Sequence, residues 1–300
     1  MKIAALDAMW YETPLQRRIG RIAELGFEGI EFWLGSAELG FTVPPLWPEA
    51  HRLRRVAFPP RKLSEITHKA GVELAAFGQY SLLGEFPSLF GPTEVDVGRR
   101  REARIQDVKA LMSYAAEAGG GIVIAESGGD PDRLEQWNSL IELTKELVGY
   151  AEKVGAVLAV ENTPQFLIKD EDDLLRLMKE VESRALRVNF DPANLNLCPP
   201  GKKNVANAIR KLGSRIVCVH AKDSIYHAAP YGKTPEGLWD CPKLGQGSVP
   251  WRECIAALKD IGYDGYLIVE YGEPGHDVRP EDREKGMVEG KRVLKEYLAL

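Results

Sequence analysis

The stretch VLAVENTP at residues 157–164 decides the fold. Its first four residues are a short apolar run of the kind that fills a parallel sheet covered on both faces. The run then ends on Glu161, a polar residue placed where a buried strand should be finishing. Three later stretches repeat the arrangement: LRVNFDPANL at 186–195, IVCVHAKD at 216–223 and YLIVEYGE at 266–273. Each delivers one residue able to ligate a metal: Asp191, His220 and Glu270. In a (β/α)8 barrel the carboxyl ends of the strands converge on one mouth, so four such residues can meet at a point. Three carboxylates and one imidazole are a donor set for a divalent cation.

Outward from these segments, the chain alternates short apolar runs with amphipathic stretches, which argues for repeated βα units. Strands are expected near 2–8, 29–34, 73–79, 121–127, 157–163, 186–192, 216–222 and 265–271. Helical patterns fill 14–25, 61–70, 98–118, 131–154, 171–183, 203–212, 250–261 and 279–298. Eight of each is the count that closes a TIM barrel, and the 300 residues fit one such domain over 1–300.

The connections are unequal. Helix-to-strand joints are tight and marked by Gly26, Gly71, Gly119 to Gly121, Gly155 and Gly213, as expected where a left-handed residue stops a helix. Three strand-to-helix joints are long: 35–60, 80–97 and 224–249. They carry Trp47, Phe58, Tyr80, Phe86, Phe90, Tyr226, Tyr231 and Trp239, and all three belong at the barrel mouth. Long aromatic loops over a polar cluster suit a lid that excludes water, although any one of these rings could equally be packing beneath its loop.

Composition narrows the function classes. Apolar residues make up 44% and charged residues 28%, ordinary values for a soluble globular chain. A net charge of -5 without a Lys/Arg run gives no footprint for nucleic acid. No apolar run is long enough to span a membrane, and MKIAALDAMW reads as a first strand rather than a leader. The four cysteines have no CxxC spacing and Cys218 lies inside an apolar strand, so reduced thiols in a cytoplasmic protein are expected.

Strand parity tests the metal assignment, because alternate residues of a barrel strand face the interior. If His220 faces inward, so do Cys218 and Lys222; if Glu270 does, Ile268 joins it and Val269 packs outward. Val157, Ala159, Glu161 and Thr163 share one side, as do Asn189 and Asp191, with Pro192 ending the ladder just after the ligand. Taken singly, a Glu at a strand end is more often a loop acceptor, and a His in an apolar strand a satisfied core residue. Four such residues on four consecutive strands are much harder to obtain by chance. Asp7, Glu31 and Glu126 also fall at or near strand ends and are expected to form buried ion pairs without a catalytic role; of these Glu126 is the first alternative.

The strings VENTP, FDPAN, VHAKD and IVEYG, with LGQGSVPW at 244–251, resemble the xylose isomerase-like TIM barrel superfamily. That group includes ketose 3-epimerases, hydroxypyruvate isomerases, inosose dehydratases, 3-dehydroshikimate dehydratases and endonuclease IV. The resemblance implies one divalent metal, usually manganese, with magnesium, cobalt and zinc as alternatives, bound by Glu161, Asp191, His220 and Glu270. It also implies that Glu161 and Glu270 act as the two catalytic bases. Departures leave the subgroup open: the ketose epimerases carry a His where this chain has Asn194 and an Arg where it has Tyr226. The dehydroshikimate dehydratases carry a His where it has Thr163. Asn194 and Lys222 are the candidate substrate-binding residues, Lys222 being equally suited to a salt bridge with Asp223 or a ligand carboxylate. The endonuclease branch needs further His ligands on early strands, and only five His are present.

The implied activity is isomerisation or epimerisation of a small keto sugar or polyol through a metal-stabilised enediolate. A lyase or dehydratase acting on a keto-inositol, keto-glycoside or keto-acid shares the first half-reaction. A non-catalytic sugar-binding subunit that keeps the metal as a staple is the third alternative. Self-association is open.

Overall fold

The computed structural model describes residues 1–10, 13–33, 58–78, 82, 97–130, 135–164, 166–198, 203–226, 239–271 and 279–300. Eight parallel strands close on themselves: β1 (Lys2–Leu6), β2 (Gly29–Trp33), β3 (Glu73–Gly78), β4 (Ile122–Glu126), β5 (Val157–Glu161), β6 (Leu186–Phe190), β7 (Ile216–Ala221) and, eighth in the barrel, β10 (Tyr266–Val269). A two-residue antiparallel ribbon, β8 (Ile225–Tyr226) with β9 (Trp239–Asp240), lies between β7 and the next helix. All eight expected strands are present.

Helices separate successive strands: α1 (Leu15–Glu24), α2 (Pro60–Ala70), α3 (Val97–Ala118), α4 (Glu135–Val154), α5 (Glu171–Val181), α7 (Val205–Leu212), α8 (Trp251–Asp260) and α9 (Pro280–Ala299). They match the amphipathic stretches, and α1 buries Leu15, Ile19 and Ile22 on one face. Their ends follow local chemistry. Asp170 caps α5 by accepting from the amides of Asp172 and Asp173, and Gly71 closes α2 at φ 76°. A short extra helix, α6 (Pro192–Asn196), follows β6 directly.

Register explains why the site lies at one end. Glu126 pairs with Glu161, Glu161 with Asn189, and Ile268 with His220. The same parity carries Lys2, Glu73 and Tyr266 at the opposite end, where Lys2 Nζ donates to Glu73 at 2.6 Å and the Tyr266 hydroxyl donates to the same carboxylate. Residues on the other parity, such as Leu158, Val160, Leu186, Val188 and Val219, are fully buried beneath the helices. Val269 follows suit, since a side-chain carbon added at Gly290 of α9 would lie 2.9 Å from it. The interior is therefore plugged at the amino end and polar at the carboxyl end, the arrangement that supports a mouth.

Among the aromatics expected at the mouth, only Phe58, Tyr226 and Trp239 belong to the described residues. Phe58 packs against the core and its carbonyl accepts from the Tyr114 hydroxyl at 2.8 Å. Trp47, Tyr80, Phe86, Phe90 and Tyr231, with most of the 35–60 and 80–97 connections, lie outside the described residues, as does 227–238. The four cysteines are free thiols. Among the described residues no helix is long and apolar enough to cross a membrane.

Candidate metal centre

Glu161 closes β5, Asp191 follows the last residue of β6, His220 sits one residue before the end of β7, and Glu270 follows β10. All four are buried. His220 Nδ1 lies 3.1 Å from Glu161 Oε2 and 3.2 Å from Glu270 Oε2. One donor atom from each of Glu161, Asp191 and His220 falls within 4.8 Å of the others. The barrel thus gathers Glu161, Asp191 and His220 into one cluster, with Glu270 against the His220 ring, from strands up to 109 residues apart in sequence (270 minus 161).

Each side chain is held by neighbours that the same strand ends supply. Asn162 clamps the backbone of Asp191, donating to its carbonyl and accepting from its amide, both at 3.0 Å. That exchange continues the β5–β6 contact past the last ladder pair. Asp191 Oδ1 accepts from the Asn194 amide at 2.9 Å, which caps α6, and so Oδ2 is left to face the site. Asn194 Nδ2 donates to Glu161 Oε1 at 3.0 Å and Asn189 Nδ2 to Glu161 Oε2 at 2.9 Å. Asn194, expected as a substrate contact, is therefore seen gripping Glu161.

Lys222 lies 3.1 Å from Asp191 Oδ2 and 3.2 Å from Glu270 Oε1. Of its two expected uses, this is the ion pair with ligand carboxylates. Asp223 is engaged elsewhere, accepting from the amides of Ser224, Gly245, Gly247 and Val249 at 2.9–3.1 Å. It ties the LGQGSVPW turn to the end of β7, and Gly247 is required there because a side-chain carbon would lie 2.0 Å from Asp223 Oδ1.

Four buried side-chain atoms among the described residues make no hydrogen bond: Asp191 Oδ2, His220 Nδ1, Glu270 Oε2 and Asn189 Oδ1. Buried polar atoms are normally satisfied. Three of these four belong to the expected ligands: Glu270 Oε2 lies 3.2 Å from His220 Nδ1, and Asp191 clusters with His220 and Glu161, so the residues present fit a hard divalent ion. The electrostatics agree. Burial alone would lower the His220 pKa, but the carboxylates of Glu161 and Glu31 outweigh it and hold the imidazole well above its ordinary value. Burial pushes the Asp191 carboxyl up against the opposing pull of Lys222. Glu161 also suffers burial, yet His220, Lys222 and Asn189 bring it below the ordinary carboxylate value.

Three carboxylates set aside from the sequence fall differently. Asp7 forms the expected buried ion pair, with Arg18 at 2.5 Å, and accepts from the Trp33 amide. Glu126, half-buried beside Glu161, accepts from the Thr163 hydroxyl at 3.1 Å. Glu31 also forms a buried ion pair, but with an expected ligand: its Oε2 lies 2.8 Å from His220 Nε2. A second acidic group, Asp170, Glu171 and Asp172, is already neutralised by Lys203 at 2.9–3.5 Å.

Fold and donor set together define a class of protein. The family model of the xylose isomerase-like TIM barrel matches residues 19–297, and the chain belongs to that family. Particular relatives then sharpen the comparison. Fructoselysine 3-epimerase of Escherichia coli O157:H7 is 27% identical over 283 residues, 90% of either chain. An uncharacterised protein of Methanocaldococcus jannaschii is 28% identical over 213 residues, a match spanning 67% of this chain and 64% of that protein. In structure, D-psicose 3-epimerase from Clostridium cellulolyticum H10, crystallised with D-tagatose, superposes with a TM-score of 0.67 at 18% identity over 99% of both chains.

Proposed function

We propose that this protein is a divalent-metal-dependent isomerase or epimerase of a small keto sugar or polyol, with Mn2+ as the ion and the cytoplasm as its location. The observation that carries the proposal is the buried cluster of Glu161, Asp191 and His220, with Glu270 Oε2 3.2 Å from the His220 ring. Likeness to a fructoselysine 3-epimerase along 90% of the chain favours epimerisation next to a ketose carbonyl.

A divalent ion held by these residues supplies Lewis acidity toward a hydroxyl and an adjacent carbonyl of the substrate. The chain supplies the proton transfers. Glu161 and Glu270 come from β5 and the end of β10, with β6 and β7 between them, and reach His220 Nδ1 from separate strands. Two carboxylates so placed can act on opposite faces of one carbon: one takes up the proton next to the carbonyl and keeps it, and the other, starting protonated, donates its own proton to the opposite face of the substrate enediolate. Asn189 and Asn194 fix the Glu161 oxygens for that task. Lys222, already directed at Asp191 and Glu270, has the reach to donate to a substrate oxygen.

The test is incubation of the Mn2+-loaded protein in D2O with a panel of ketoses, fructosamines and inososes. Deuterium uptake at the carbon beside the carbonyl, with the epimer appearing, supports the proposal. Release of water or another leaving group reassigns the protein to the lyases, and a panel without exchange at full metal occupancy overturns the enzyme assignment.

A further inference from the structure

Glu31 stands apart from the residues that the ligand motifs announce. It sits on β2, on the far side of the barrel from β6, and is 1% exposed. Its Oε2 lies 2.8 Å from Nε2 of His220, the ring nitrogen opposite the one facing Glu161 and Glu270. An ionised carboxylate only accepts, so an ionised Glu31 pairs with the ring through Nε2–H. With Nε2–H held by Glu31, Nδ1 is the ring nitrogen left to present a lone pair to an ion, and it is the one that faces Glu161 and Glu270.

The backbone has been shaped to admit this carboxylate. A side-chain carbon added to Gly78 on the neighbouring strand would lie 2.2 Å from Glu31 Oε1, so Gly78 makes the room. A register shift between Ile30 and Glu31 in the β2–β3 pairing occurs at the same place. Such irregularities re-aim a side chain. On the other flank, Asp7 is neutralised by Arg18 and accepts from the Trp33 amide, leaving Glu31 as the carboxylate that engages His220 from this side.

We infer that Glu31 is a positioning residue for the metal centre, holding His220 by its Nε2–H so that Nδ1 is presented to the ion. Glu31 touches neither ion nor substrate. It fixes the ring's orientation and tautomer and makes Nδ1 a stronger donor, as carboxylates behind metal-bound imidazoles do. The inference rests on the proposed metal centre, and on Glu31 and Gly78 in addition.

The test compares wild type, Glu31→Gln, Glu31→Ala and Gly78→Ala, each checked for native circular dichroism. Metal affinity is read with Mn2+ against a competing chelator, and the His220 tautomer by long-range 1H–15N NMR on the Zn2+-loaded protein. Glu31→Ala is expected to weaken metal binding about 10- to 100-fold. Glu31→Gln keeps an acceptor for Nε2–H and is expected to recover much of that loss while retaining the Nε2–H signature; Gly78→Ala, which displaces the carboxylate, should behave like Glu31→Ala. If Glu31→Ala does not fold, Gly78→Ala decides alone. Metal affinity within twofold of wild type in folded Glu31→Ala or Gly78→Ala, or Nδ1–H in the loaded wild type, overturns the positioning role while the metal centre stands. A wild type that binds no divalent ion overturns both.

Discussion

The ammonium of Lys222 lies 3.1 Å from Asp191 Oδ2, a buried oxygen that accepts no hydrogen bond. Among the described residues, this lysine and His220 are the cations set among Glu31, Glu161, Asp191 and Glu270. Four carboxylates against two cations leave a buried negative excess, which protons or a dication must relieve. Replacing Lys222 by Met should therefore destabilise the metal-free protein by about 3 kcal/mol, the scale of breaking a buried pair. The metal-loaded form should lose much less, so the gain in melting temperature on adding Mn2+ should exceed that of wild type. Equal gains in the two proteins would mean that Lys222 does not share the charge role of the ion.

Metal binding should be linked to pH through His220. Against the effect of burial, Glu161 and Glu31 raise its pKa well above the ordinary value, which favours the protonated imidazole in the metal-free protein. An ion needs the bare Nδ1, and one proton must leave for each ion bound. The sign follows: affinity rises with pH throughout the range below the raised pKa, by about tenfold per unit for one proton. Asp191, also raised, adds to the loss of affinity at lower pH. Calorimetric titration in two buffers of different ionisation enthalpy counts the protons, and a count of zero at neutral pH would mean that the imidazole is already neutral before the ion arrives.

The turn beside the site depends on Asp223, whose carboxylate takes four backbone amides. Asp223→Asn turns one acceptor oxygen into an NH2 group facing an amide, and should cost about 2 kcal/mol. Gly247→Ala should cost a comparable amount through steric conflict with the same carboxylate. Urea denaturation of the metal-free proteins measures both. Because the two substitutions break one contact, the double variant should fall short of the sum.

How much of the fold and site is legible in the chain follows from what each signal depends on. Strands and helices are readable because apolar runs such as VLAV and glycines such as Gly71 and Gly155 are local marks, and the ligands because each ends such a run. Helix α6 escapes a reading by periodicity, since five residues hold no period, although Asp191 followed by Pro192 is a cap with proline at the first helical position. The partner of Glu31 escapes the sequence for a different reason. His220 is 189 residues away, and nothing in GIEFW tells a carboxylate paired with Arg from one paired with a ligand imidazole. Parity with Gly29 and Trp33 could turn it inward; only barrel closure brings β2 and β7 face to face.

The sharpest expectation concerns the two carboxylates as separate bases. Glu161→Gln and Glu270→Gln each keep the shape and one oxygen donor but lose the capacity to take a proton at ordinary pH. His220 Nδ1 would still have a carboxylate within 3.2 Å in either single variant, so the ion should remain bound, though more weakly. If the two act on opposite faces of one carbon, each variant should lose turnover by at least about a hundredfold, the scale of general base catalysis. Their residual exchange should differ: one variant should still exchange the proton of one stereoisomer with D2O and the other variant that of its epimer. Measuring exchange by NMR from both epimers, at confirmed metal occupancy, separates this from a shared role. Both variants retaining near-normal turnover would place the bases elsewhere, with Glu126 and Lys222 the next residues to change. Both variants losing exchange from both epimers would mean that each carboxylate is needed for either proton transfer, which overturns the assignment of one base to each face.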